Sequence, residues 1–245
     1  MFQELLPLLP KEVGTLALVL AMVGTLVGAG LWLIGARYSR SLITLLLVSV
    51  GGWIGLFLPQ WFGWNIQGWA TAIASALILG GSGFVLHRFW VGVGLGSVMA
   101  GWAAVAVWIV CKGVGVWTIP KFEPGLSALA YAKDFWMSLP VDVHKFLPIA
   151  VGTALLSGLV TALLWPRIGS ILLYSMAGVS MLVGLGLCAM NMARPQWVEE
   201  LPVKTSSQLL TLMGMVAFGA LLQWQLGPVK SVPSTKQRMP LIVHD

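Results

Sequence analysis

The sequence predicts an all-α polytopic membrane protein of seven transmembrane helices, and three observations carry that reading. Only 9% of its residues are charged, against about 25% in a soluble domain. Hydrophobic residues make up 58% and the mean hydropathy is +0.90, so the chain cannot clothe itself in polar surface. Finally, apolar runs of membrane length recur along its 245 residues. A span needs ~20 residues, which leaves room for about seven crossings with short connections.

The first span is Val13–Ala36. The segment before it contains Glu4, Lys11 and Glu12 and lacks a positive n-region, so it reads as a retained start rather than a cleaved signal. The others are Ser41–Leu58, Gln67–Leu86, Phe89–Val110, Phe146–Trp165, Ile168–Met190 and Gln208–Leu226. None holds Asp, Glu, Lys or Arg in its middle, and a helix satisfies its own backbone in hydrocarbon. Pro59, Pro148, Pro166 and Pro228 fall near span ends, where a missing N–H does least harm. The chain reads as one membrane domain over 1–245, with an extramembrane loop at 111–145 and a C-terminal tail at 227–245.

The connections alternate. Gly35–Arg40, His87-Arg88 and Pro166-Arg167 are tight and basic; with Lys230, Lys236 and Arg238 of the tail they put seven Lys/Arg on one face. The opposite face also carries seven, together with seven acids. Orientation follows Lys/Arg close to span ends. The compact Arg turns therefore read as cytoplasmic, with the N-terminus outside and the C-terminus inside. Between Glu123-Pro124 and Pro140 the long loop has a helical pattern through Leu126, Leu129, Lys133 and Trp136. An interfacial helix and a cap packed over the bundle both fit it. Trp61, Phe62, Trp64 and Trp69, beside Asn65 and Gln67, form an aromatic belt.

A pattern repeats: apolar span, basic turn, apolar span with small residues partway in. Gly51-Gly52-Trp53 follows Arg40, Ala100-Gly101-Trp102 follows Arg88, and Ala177-Gly178-Val179 follows Arg167. It suggests three helical hairpins plus a seventh helix, although any Gly-rich chain with basic turns would show something similar. Small residues four apart lie at Gly24/Gly28, Gly51/Gly55, Gly92/Gly96 and Ser180/Gly184. Each pair lets a neighbouring helix approach, either within the chain or in a second copy. Gly80-Gly81-Ser82-Gly83 fits either close packing or a kinked helix opening a cavity.

The sequence offers little for chemistry. Proton relays and coupled carriers place Asp, Glu or His within the bundle, and the span middles have none. Gly92-Val-Gly94-Leu-Gly96 lies inside an apolar span, without the strand and turn that a dinucleotide site needs. Asp142-Val-His144 supplies two ligand types, too few for a metal site. No catalytic set, cofactor or metal is implied, and the scattered basic residues form no nucleic-acid stripe. Cys111 and Cys188 fall near the same end of the bundle, where a bridge and two thiols are both open. Arg37, Arg40, Arg88 and Arg167 suit lipid phosphate as well as topology anchoring.

Gly35-Ala-Arg37 leading into a Gly-rich span, then Leu86-His-Arg88 followed by Gly92-xxx-Gly96, resembles the seven-span domain of the transmembrane-protein-198-like group. Ser157-Gly-Leu-Val-Thr161 through Pro166-Arg167 and Gly169 echoes the same phrase. The resemblance implies a seven-helix membrane domain and transfers no catalytic residue. The expectation is a non-enzymatic integral membrane protein, a structural or partner-binding subunit in contact with lipids, other membrane subunits or itself. The alternative is a channel or carrier for a small neutral solute, walled by Ser75, Ser82, Thr153 or Ser157.

Overall fold

The computed structural model describes residues 15–112, 128–194, 196 and 205–226. Seven long helices carry the fold: α1 Thr15–Ile34, α2 Ser39–Phe62, α3 Gly68–Val85, α4 His87–Lys112, α6 Val141–Leu164, α7 Pro166–Ala193 and α8 Thr205–Leu226. A shorter helix, α5 Ala128–Ser138, precedes α6. Six apolar stretches are long enough to cross a membrane, and the first, Leu16–Phe62, is 47 residues long. At ~1.5 Å per residue that stretch would measure about twice a bilayer core if straight. It holds α1 and α2, separated by a 3-10 turn at Gly35–Tyr38. Large side chains such as Leu16, Leu77, Val85 and Leu210 are exposed on the outside of the bundle, as a hydrocarbon solvent allows. Tail residues 227–245, most of the loop before α5 and the N-terminal residues through Gly14 lie outside the described residues.

The helix ends follow local rules. α2 contains Pro59 and stops one turn later at Gly63, whose φ of 64° suits a residue without Cβ. Trp64 N–H bonds back to the Pro59 carbonyl at 3.0 Å. α7 begins with Pro166 in its first turn, where the missing donor is harmless. Pro148 lies inside α6, not at its end, because that helix starts five residues before the sequence-predicted span.

Helix directions come from which residues meet. A Cβ at Gly28 would touch Met181 and Leu182, one at Gly35 would touch Tyr174, and Gly24 faces Leu185, so α1 and α7 are antiparallel. Gly51 lies against Ser75 and Ala76, and Gly55 against Thr71 and Ala72, so α2 and α3 are antiparallel. Gly92 meets Leu159 and Gly96 meets Leu155, which makes α4 and α6 antiparallel. The helices following the basic turns, α2, α4 and α7, start at one end and run the same way. Their common core is Ile43, Leu47, Val91, Leu95, Leu173 and Tyr174, with Ala162 from α6. α8 packs on α7 and α1.

This corrects the expected hairpins. The helices joined by basic turns are not the closest partners; the tight pairs are α2–α3, α4–α6 and α1–α7. The glycine faces decide the pairing, because backbones come together where no side chain intervenes. The repeating pattern is therefore a central helix plus an outer partner, made three times, with each basic turn linking one pair to another. The Gly80–Gly83 cluster likewise leaves α3 unbroken: Gly80 packs on Val48 and Gly83 on Leu47, while Gly81 faces open space.

Candidate functional site at the basic end of the bundle

The ends of α1, α3 and α8 meet the starts of α2, α4 and α7, and polar groups concentrate there. The Ser39 hydroxyl and His87 Nε2 are hydrogen-bonded at 2.9 Å, linking α2 to α4. The Tyr174 hydroxyl donates to the Ser39 carbonyl at 3.1 Å, adding α7. Ser39 and Tyr174 are both buried. One small knot thus fixes the three central helices at one end.

Beside it sits Gln223 of α8, also buried. Its Nε2 donates to the Trp32 carbonyl at 2.7 Å and the Leu31 carbonyl at 3.1 Å. Its Oε1 accepts from Ala36 N–H at 3.1 Å. The last carbonyls of a helix have no partner within it; Gln223 serves those of α1 and the turn beyond. Trp32 reinforces the joint, donating Nε1–H to the Met215 carbonyl at 2.9 Å. Gly219 leaves room for its ring and Gly178 for its backbone. Sequence reasoning missed Gln223; its one available signal was an amide within an apolar span, shared with Gln208 and Gln225.

The four basic residues lie at this end but divide into two kinds. Arg40 donates Nε–H and Nη2–H to the Phe84 carbonyl at 3.3 and 3.1 Å, and its guanidinium lies 3.8 Å from the Phe84 ring centre. Arg167 donates to the Trp224 carbonyl at 3.2 Å and stacks 4.5 Å from that indole. Each caps the C-terminal turn of a neighbouring helix, α3 or α8, where the helix dipole favours a cation. Arg37 is exposed beside the Tyr38 ring. Arg88 is exposed and makes no hydrogen bond among the described residues.

Two surface clefts among the described residues border these helices. One, about 360 Å³, is bounded by Arg40, Ser41, Thr44, Leu45, Val48 and Phe84, where α2 and α3 meet. The Thr44 hydroxyl is buried and without a hydrogen-bond partner among the described residues. The other, about 580 Å³, opens between α1, α7 and α8 at the opposite end; Met22, Leu26, Leu182, Met190, Gln208 and Met215 are among its walls.

Of the small pairs, Gly24/Gly28, Gly51/Gly55 and Gly92/Gly96 face helices of the same chain. Ser180/Gly184 does not meet a helix of the same chain as a pair. Gly184 faces open space, Ser180 accepts from Trp102 Nε1 at 2.8 Å, and the close approach on α7 is made by Gly178. His144 bonds to the Trp136 carbonyl at 2.6 Å, which ties α6 to α5. The part of the predicted loop helix before Ala128 lies outside the described residues. Cys111 and Cys188 are unbridged and half-buried.

Helices of this length and apolarity define an integral membrane protein. Compared with known protein families, with characterised proteins and with solved structures, the chain shows no match.

Proposed function

We propose that this protein is a non-enzymatic membrane component that crosses the bilayer seven times and acts by packing against lipid and protein partners. The observation that carries the reading is the filled centre. Leu95, Val91, Val179 and Ser175 are the largest fully buried side chains among the described residues. Three helix pairs close around them through glycine–backbone contact. The residues that would wall a solute path do not converge. Thr153 and Ser157 are exposed and bond to carbonyls of their own helix at 2.8 and 3.0 Å. Ser82 accepts from Trp90 Nε1 at 3.2 Å and donates to Leu79 O. At the basic end Ser39, His87, Tyr174 and Gln223 are spent on one another and on helix ends.

The compact arginines favour placing that end in the cytoplasm. The seven-span resemblance of the Gly/Arg phrases is compatible with the same arrangement. Purified protein in liposomes provides the test: no flux of small neutral solutes above empty vesicles is expected, together with reproducible cross-links to membrane partners in its native membrane. Saturable solute movement would overturn the proposal in favour of a carrier.

A further inference from the structure

We infer that the cleft between the start of α2 and the end of α3 is a binding site for one anionic phospholipid. The inference rests on the membrane reading above, not on the partner-binding one. Its basis is the order of chemistry along α2. Arg40 and Ser41 come first, at the helix start. Thr44 follows one turn deeper, about 6 Å at the helical rise, and Val48 about 12 Å deeper. A phospholipid presents phosphate, then glycerol ester, then acyl chain over the same sequence of depths.

The groups available match that order. The Phe84 carbonyl takes Nε–H and one Nη2–H of Arg40. A guanidinium has five N–H donors, so Nη1 and the outer edge stay open to a phosphate. Stacking on Phe84 holds that edge in place. Ser41 is exposed beside it. Beneath them the Thr44 hydroxyl is buried without a partner among the described residues. A buried hydroxyl left unpaired is costly; the cleft wall closes over it in the lipid-free structure, and an ester carbonyl pairs it once the side chains of that wall move aside. Leu45 and Val48 continue the wall as an apolar strip. Arg37, Arg88 and Arg167 start or flank the same end, and the described residues there include no acid, which selects a negative headgroup.

The test is native mass spectrometry of the full chain in detergent. Phosphatidylglycerol, phosphatidylcholine and inorganic phosphate are titrated separately. Wild type should bind phosphatidylglycerol tightest and inorganic phosphate not measurably. T44V should melt at or above wild type without lipid, since it removes an unpaired hydroxyl, yet lose about fivefold in phosphatidylglycerol affinity, the scale of one hydrogen bond. R40Q should lose about tenfold or more, as expected for a charge-assisted contact. Equal binding of the two lipids, displacement of lipid by inorganic phosphate, unchanged affinity in T44V, or a lower lipid-free melting point in T44V would each overturn the site. A chain that leaves membranes on alkaline washing would instead overturn the membrane reading.

Discussion

The two ends of the bundle are held together by different forces. At the basic end, Ser39, His87, Tyr174 and Gln223 join α1, α2, α4, α7 and α8 through hydrogen bonds between chain segments far apart in sequence. At the opposite end α1, α7 and α8 diverge around an apolar cleft of about 580 Å³. Between them, glycine faces bring helices into backbone contact. Among apolar helices in lipid there is no hydrophobic drive to associate, so close packing and hydrogen bonds must do it. The difference teaches that polar bonds tie the helices together at one end of the bundle, while α1, α7 and α8 part around apolar side chains toward the other.

The contrast can be broken most severely at a glycine. A Cβ at Gly158 would lie 2.5 Å from Gly96 backbone atoms. G158V should therefore destabilise the detergent-solubilised protein by about 3 kcal/mol, the upper range for overpacking, read as a lower unfolding midpoint. Next is the polar end itself. Q223L strands two carbonyls and an N–H at the end of α1, and should cost about 2 kcal/mol. Hydrogen exchange should then rise at Ala36 and along α8, while α2–α3 is unaffected; uniform acceleration would mean that the two ends are not separable. S39A removes only the contact with His87 and should cost about 1 kcal/mol in the same melting assay. At the open end, Gly184 has nothing within 4 Å of a built Cβ. G184A should be neutral or raise stability by up to ~1 kcal/mol through helix propensity. A clear loss would show that this face is packed against something.

Much of the architecture was legible in the residues. The lengths of the apolar runs and the exclusion of charge from their middles located each long helix to within a few residues. The clearest exception is α6, which begins at Val141 because the helix continues through Asp142–Lys145 beyond the hydrocarbon-like part. The arginine turns were legible too, as charges bounding spans. Their capping role was not: Arg40 reaches Phe84 and Arg167 reaches Trp224, contacts between segments 44 and 57 residues apart. The Ser39–His87 bond and the Thr44 hydroxyl, partnerless among the described residues, were invisible for the same reason.

What the sequence by itself determined is the solvent and the element type, because hydropathy and charge act locally over each ~20-residue run. Which helix lies against which was decided only in three dimensions. A small residue shows where a backbone can be approached but does not say by whom. The partners of Gly28, Gly51 and Gly96 follow from how α1, α2, α3, α4, α6 and α7 share one core, and that packing moved the tight pairs away from the basic turns.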